Sequence, residues 1–192
     1  MEERSIFCGR IFVIVLLAML LVSWALSVWM WRENLDLASR LHQLKMQSMD
    51  HGGWHLRTMA GHMERAMAAV DSNERQHELA LALASWFAYS DQVSLLTMHW
   101  TGDAESLLRE LNLYRPWRDA GDREDILFPY LASSARVMGD TLILFSERMA
   151  RQETPGGELF ERQLVRQMVE NLKDAGVWDV LLEHLPQLAP FS

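Results

Sequence analysis

The sequence is poor in cysteine and lacks the short motifs that mark common catalytic or cofactor sites. Its only cysteine is Cys8, so the residues beyond it form neither an internal disulfide nor a thiolate metal site. It contains no Gly-x-Ser-x-Gly nucleophile elbow and no Gly-x-x-x-x-Gly-Lys phosphate loop. We therefore expect no enzymatic activity and no cofactor.

Basic residues are also few, and no stretch of the chain concentrates them. The 192 residues include 18 Lys and Arg against 26 Asp and Glu, which gives a formal net charge of −8. Nucleic-acid binding depends on clustered basic side chains that neutralise phosphates. The composition therefore argues against nucleic acid as a partner.

Signals for β-strands are missing as well. We find no alternating apolar and polar pattern and no hairpin dipeptide of the Asn-Gly type, whereas apolar residues recur at steps of three and four along most of the chain. That spacing places apolar side chains along one face of a helix. The sequence therefore predicts an all-α protein.

One long uncharged apolar run stands out near the N-terminus. It covers residues 11–31, about 21 residues, which is enough for a helix to cross a hydrocarbon core roughly 30 Å thick. Arg10 and Arg32 flank the run, and three tryptophans crowd its far end, where indole rings favour the headgroup layer. We expect a single transmembrane helix, and hence a cell-membrane protein in contact with the lipid bilayer.

The basic residues that flank the span are nearly balanced, so they set its orientation only weakly. We expect residues 1–10 to form a short cytoplasmic tail, because a first span after a short tail usually acts as a signal anchor. Residues 32–192 then lie outside the cytoplasm. A cleaved signal peptide is the main alternative, since Ala25 and Ser27 imitate a small-x-small cleavage site.

The helical spacing continues past the span as a seam along one long helix that reaches Val70. The seam passes through Gly52 and Gly53, and two glycines in a helix cost about 2 kcal/mol relative to alanine. Either the helix kinks at this point or the small residues admit a close neighbour. Such a seam is also typical of a coiled-coil contact.

Turn and cap residues divide the rest of residues 32–192, which we expect to form an extracytoplasmic bundle of about four to five helices. The predicted helices after the first cover about 73–100, 104–114, 125–152, 158–175 and 177–185, with residue 129 as the alternative start of the helix that ends at 152. Residues 117–125 are predicted to be a surface loop, and Pro129 is expected only within a first helical turn. A second membrane span over residues 79–89 is the rival interpretation, which Asp91 disfavours.

The predicted core of the bundle lies on the inner faces of these helices. The residues that the three-and-four spacing assigns to it are Met46, Met63, Met67, Leu83, Trp86, Met138, Leu142, Phe145, Leu164 and Met168.

The most chemically suggestive cluster is on the first helix after the span. His51 and His55 are four residues apart and share a face, and His62 with Met59 lies further along it. Imidazoles suit zinc or copper, and thioethers favour Cu(I). No acidic or cysteine ligand is fixed beside them, so His51, His55 and His62 are weak candidates and we expect no metal site.

These observations favour a membrane-anchored, non-enzymatic helical-bundle protein that binds a partner protein or a signal outside the cytoplasm. The expected partner is another membrane or extracytoplasmic protein, or a second copy of the chain in a homo-oligomer. The alternative is a periplasmic metal-binding or metal-sensing domain that uses His and Met ligands. Arginine far outnumbers lysine, which favours a bacterial origin.

Overall fold

The computed structural model describes residues 2–97, 103–121, 124–151 and 158–192. Within these ranges the chain forms seven α-helices and a C-terminal 3₁₀-helix, with no β-strand, so the all-α prediction is confirmed there. The helices are α1 (Glu2–Ala68), α2 (Ser72–Thr97), α3 (Asp103–Glu110), α4 (Tyr114–Asp119), α5 (Glu124–Ala150), α6 (Glu158–Asp174) and α7 (Trp178–His184), and the 3₁₀-helix is Pro186–Phe191.

The chain divides after Gln43 into two compact units, and the first is the N-terminal part of α1. From Leu16 to Trp31 almost every side chain of this unit is exposed, including Leu20 at 59% and Trp24 at 67%. By length and composition this stretch is apolar enough to cross a membrane. The predicted apolar helix is therefore present in the fold.

The second unit, Leu44–Ser192, is a helical bundle with one continuous apolar core. α5 and α6 bury the faces that their spacing predicts. The buried residues of these two faces are Leu131, Ala135, Met138, Leu142, Phe145, Met149, Phe160, Leu164, Met168 and Leu172. α2 is also long and apolar enough to cross a membrane, but Trp86 and Tyr89 of this helix are buried in the bundle core.

The paired glycines of α1 admit a close neighbour, which is one of the two alternatives that the sequence leaves open. A Cβ placed on Gly53 would lie 2.7 Å from the carbonyl oxygen of Gly139 on α5, and one on Gly139 would lie 2.6 Å from the carbonyl oxygen of Gly53. Neither helix tolerates a side chain at that point without moving. Two ion pairs, Arg57 with Asp140 and Arg136 with Glu64, join the same two helices.

A polar chain of hydrogen bonds crosses from α6 to α5 beside the apolar core. Gln167 Nε2 donates to Asn171 Oδ1 at 2.8 Å, and Asn171 Nδ2 donates to Thr141 Oγ1 at 2.8 Å. Thr141, which is buried, donates in turn to the carbonyl oxygen of Val137 at 2.8 Å. Further along, the rings of Phe145 and Phe160 meet edge-on, 5.5 Å apart. Where α5 meets α6, these polar side chains are therefore hydrogen-bonded and the aromatic side chains are packed together.

The prediction for residues 104–125 is wrong in two respects. The helix expected to reach residue 114 ends at Glu110, and part of the expected loop is the helix α4. Pro116 is the third residue of α4, where its missing N–H has no intrahelical partner to lose, so it begins a helix rather than ending one. Trp117 holds α4 against the bundle, with its ring edge-on to Phe128 at 5.7 Å.

Smaller departures concern Pro129 and the edges of the core. Pro129 is the sixth residue of α5 rather than part of its first turn, and its exposed ring costs the helix a single early hydrogen bond. Met67 is 37% exposed whereas its neighbour Ala66 is 1% exposed, so the buried face of this turn passes through Ala66, and Met46 and Leu83 are only half-buried. The 3₁₀-helix at the C-terminus was not predicted.

The predicted end of α6 is confirmed. Gly176 adopts a positive φ of 68°, its N–H donates to Lys173, and the N–H of Val177 donates to Leu172, which is a common glycine-terminated helix end. The predicted helix ends at residues 100 and 152 lie outside the described residues.

Candidate functional site

The three histidines that the sequence singles out do not share one environment. His51 is exposed, whereas His55 is half-buried and its ring meets that of Trp54 edge-on at 5.3 Å. Burial, and then the proximity of His51, lower the pKa of His55. His62 contacts Glu78 of α2 instead. The structure therefore brings His51 and His55 together and places His62 in a different interaction.

The methionines of the same stretch lie in the core. Met59 and Met63 are fully buried, where flexible thioether side chains fill space between helices. Among the described residues, no three or more His, Cys, Asp or Glu side chains are grouped so that they hold a metal ion.

The contact between His62 and Glu78 joins α1 to α2. Nδ1 of His62 lies 2.7 Å from Oε2 of Glu78, and Nε of Arg65 donates to the same oxygen at 2.9 Å. An ionised carboxylate only accepts, so Nδ1 carries the proton in this contact. Nη2 of Arg65 also lies 2.6 Å from Nδ1, which cannot accept while it donates to Glu78. The His62 and Arg65 donors lower the pKa of Glu78.

A first surface depression lies between α2 and α4, and we call it the α2–α4 groove. It has a volume of about 300 Å³ and is lined by Leu79, Ala80, Leu83, Tyr114, Trp117 and Arg118. Phe87 extends the same surface, since it is 52% exposed and its ring lies 5.8 Å from that of Tyr114. Sequence reasoning missed this groove because it placed Tyr114 at the end of one helix and Trp117 and Arg118 in a loop, and so did not recognise α4.

A second depression lies between α2 and α3, and we call it the α2–α3 cavity. Its volume is about 500 Å³, within the range of roughly 300–1,000 Å³ that is usual for small-molecule sites. The wall from α2 consists of Trp86, Tyr89, Ser90, Val93, Ser94 and Thr97. The opposite wall consists of Glu105, Leu108 and Arg109 of α3, with Asn112 after it.

Two hydroxyl groups and one carboxylate of the α2–α3 cavity present acceptors, whereas Arg109 and Asn112 of the same lining add donors. Ser94 and Thr97 donate their hydroxyl protons to carbonyl oxygens of their own helix, at 3.0 and 2.9 Å, which leaves the oxygen lone pairs for other donors. Glu105 is an acceptor as well, and it accepts from Nη2 of Arg109 at 2.6 Å.

The aromatic wall of the cavity is formed by Trp86 and Tyr89, whose ring centroids are 5.1 Å apart. Tyr89 is fully buried, and burial raises the pKa of its phenol. Its hydroxyl has no hydrogen-bond partner within the described part of the chain. An unsatisfied buried hydroxyl is unusual in a native core, so this wall departs from ordinary core packing.

The spacing of Glu105 and Arg109, four apart on a short amphipathic helix, is a signal that the sequence offers for this cavity. The partner wall on α2 is separated from it by a turn, so its residues cannot be found from spacing alone. Comparisons with protein-family models, with curated proteins and with solved structures found no match for this chain.

Proposed function

We propose that the protein is a single-pass membrane protein without enzymatic activity, and that its bundle, outside the cytoplasm, binds a partner protein through the α2–α4 groove. The observation that carries this proposal is the apolar and aromatic lining of that groove, on the outside of a bundle that already has a complete core.

The anchoring part of the proposal is supported by the N-terminal unit. A helix that is apolar on all sides is stable where its surroundings are apolar. Trp24, Trp29 and Trp31 are all exposed near the end of the apolar run, the position at which tryptophan anchors a span at the membrane surface.

The binding part is supported by the shape and chemistry of the groove. Large contiguous apolar patches on a folded domain usually mark interaction sites, and Phe87 extends the apolar lining of the groove beyond the depression itself. A channel between two helices suits the apolar face of a third helix, which is a recurring mode of protein recognition. Tyr114 and Trp117 are of the residue types that contribute most to such interfaces. The occupant that we propose is therefore an amphipathic helix of another protein.

Site-specific photo-crosslinking in intact membranes tests the groove. A photoreactive phenylalanine analogue at position 83, in the groove, should give a protein adduct of one size, and the same analogue at position 170, on the exposed side of α6, should not. Ala80→Glu places a charge in the groove without disturbing the core and should abolish the adduct. Ala175→Glu, at an exposed alanine beyond α6, is the matched control and should leave the adduct unchanged.

Adducts to lipid instead of protein at position 83 would contradict partner binding and would favour a membrane-facing α2. An adduct that survives Ala80→Glu would show that the groove does not form the contact. Unchanged melting temperatures of both alanine variants are required in either case.

Topology is tested by fusing alkaline phosphatase after Val70 and, separately, after Ser192. Both fusions should be active, because the enzyme matures only outside the cytoplasm. Activity at the first position alone would indicate that α2 is a second span. Activity at neither position would indicate that the bundle lies in the cytoplasm.

A further inference from the structure

We propose that the α2–α3 cavity is a binding site for a small organic cation, a protonated amine that carries an apolar group. This site involves residues other than those of the α2–α4 groove, so the inference goes beyond partner binding and is tested separately from it.

Two hydroxyl groups in the lining, those of Ser94 and Thr97, favour a ligand that donates hydrogen bonds. The hydroxyl groups of Ser94 and Thr97 have already committed their protons to Ser90 and Val93 carbonyl oxygens, so toward the cavity they accept. An ammonium group has donors and no acceptor, and so it matches such a lining.

Glu105 supplies the opposite charge, and in this structure it already binds a cation. The Nη2 atom of Arg109 donates to Oε1 of Glu105 at 2.6 Å. The Arg109 side chain is 68% exposed whereas that of Glu105 is 28% exposed, so the guanidinium is the partner that can leave for solvent. An amine in the cavity would replace Arg109 as the partner of a carboxylate that stays in place.

The remaining lining suits the apolar part of the same molecule. Trp86, Tyr89, Val93 and Leu108 line the cavity, and aromatic rings attract organic cations in addition to burying apolar groups. The formal net charge of −8 raises the local concentration of cations around the protein. The Glu105 carboxylate, the accepting hydroxyl groups and the aromatic wall are therefore the features that favour an amine with an apolar group.

Titration of the full-length protein in nanodiscs of zwitterionic lipid tests the proposal, with dissociation constants measured by calorimetry against empty nanodiscs. The probe is 2-phenylethylammonium, and 2-phenylethanol and L-phenylalanine are its neutral and zwitterionic counterparts. We expect saturable binding of the ammonium probe at one site, and at least about tenfold weaker binding of the alcohol, since charge-assisted hydrogen bonds are the strong ones.

Three variants assign the binding to the cavity. Glu105→Gln should weaken the binding of the ammonium probe about tenfold or more, because it removes the anionic acceptor. Arg109→Gln should strengthen the binding of the same probe about twofold, because it removes a competing cation whose exposed ion pair is weak. Glu110→Gln makes the same chemical change on the same helix, away from the cavity lining, and should leave the affinity unchanged.

Arg109→Gln separates this proposal from its closest rival. If the cavity held a zwitterion or an anion, Arg109 would contact the ligand and the variant would weaken binding, and L-phenylalanine would bind better than the amine. Either result, or equal affinity of the wild type and Glu105→Gln for the amine, would overturn the proposal. Absence of saturable binding in the wild type would do the same.

Discussion

Two stretches of α1 carry similar side chains and differ completely in burial. Residues 16–31 contain leucine, methionine and tryptophan that are nearly all exposed, whereas Met49, Leu56, Met59 and Met63 are fully buried. The difference lies in how far around the helix the apolar residues extend. The first stretch is apolar on every side, and the second is apolar along one seam. An all-round apolar helix needs an apolar medium, while a seam needs neighbouring helices.

Replacing Leu142 by aspartate should have the largest effect on stability, because this leucine lies in the buried core of the bundle. Leu142 is 1% exposed, and an unpaired carboxylate in an apolar core costs several kcal/mol against a total stability of about 5–15 kcal/mol. We expect the cooperative thermal transition followed by circular dichroism to be lost. Leu159→Asp, at an exposed leucine of α6, should melt nearly as the wild type, and a folded Leu142→Asp variant would refute the core assignment.

Replacing Leu20 by arginine tests the exposed side. A charge at the centre of a span opposes insertion by about 2.5–3.5 kcal/mol, whereas the bundle core does not include this residue. The fraction of protein that stays with membranes after alkaline carbonate extraction should therefore fall, with no change in the melting temperature of the bundle. Ser39→Arg, beyond the apolar run, serves as the control. Full retention of Leu20→Arg would show that residues 11–31 are not the anchor.

Gly52 and Gly53 allow a sharper test within the buried stretch. A Cβ on Gly53 meets the backbone of Gly139 at 2.7 Å, but on Gly52 it meets side-chain atoms at ordinary distances of 3.5 Å or more. Gly53→Ala should lower the free energy of unfolding by about 1–3 kcal/mol through overpacking. Gly52→Ala should be neutral or raise it by up to about 1 kcal/mol through helix propensity. If both variants changed the free energy of unfolding equally in denaturant titrations, α1 and α5 would not approach each other closely at Gly53 and Gly139.

The smallest effect on stability is expected from loss of the interaction of Glu78 on α2 with His62 and Arg65 on α1. His62 and Arg65 lower the pKa of Glu78 in the folded protein, so the unfolded state takes up its proton first on acidification. The stabilisation is therefore complete above the ordinary carboxyl pKa of 4.5 and is lost as the pH falls through the lower, folded value.

Glu78→Gln removes this titration and isolates its contribution. The difference in unfolding free energy between wild type and Glu78→Gln should shrink as the pH falls below about 4.5. Glu183→Gln, at an exposed position, is the control and should show no such convergence. A difference that stays constant with pH would mean that the carboxylate is not held by His62 and Arg65.

How much of this fold the sequence predicts depends on how local each contact is. The inner faces of α5 and α6 follow from unbroken three-and-four spacing, and the end of α6 follows from Gly176. α4 was missed because Pro116 is compatible both with a helix end and with a first turn. Met67 was misplaced because a step of three or four from Met63 reaches either Ala66 or Met67, and Ala66 is the one that the bundle buries.

The candidate sites were less predictable than the fold because they join distant parts of the chain. Glu78 lies sixteen residues after His62, and no spacing rule connects a histidine on one helix with an acid on the next. The α2–α3 cavity depends on how two helices approach each other, and only the Glu105 and Arg109 pair was visible in the sequence. The histidine cluster drew attention because its members share one helix face.

The hydrogen bond from Asn171 to Thr141 bears on how the chain chooses one native alignment among several near-equivalent ones. The apolar faces of α5 and α6 repeat with each turn, so sliding one helix past the other by a turn, about 5.4 Å, keeps most apolar side chains in contact with apolar side chains. The same slide breaks the hydrogen bond from Nδ2 of Asn171 to the hydroxyl of Thr141, while the bonds that each side chain makes within its own helix remain, and a polar group left unpaired in a core is costly. Apolar contact makes these two helices adhere, and this one polar pair makes them adhere in a single translational register.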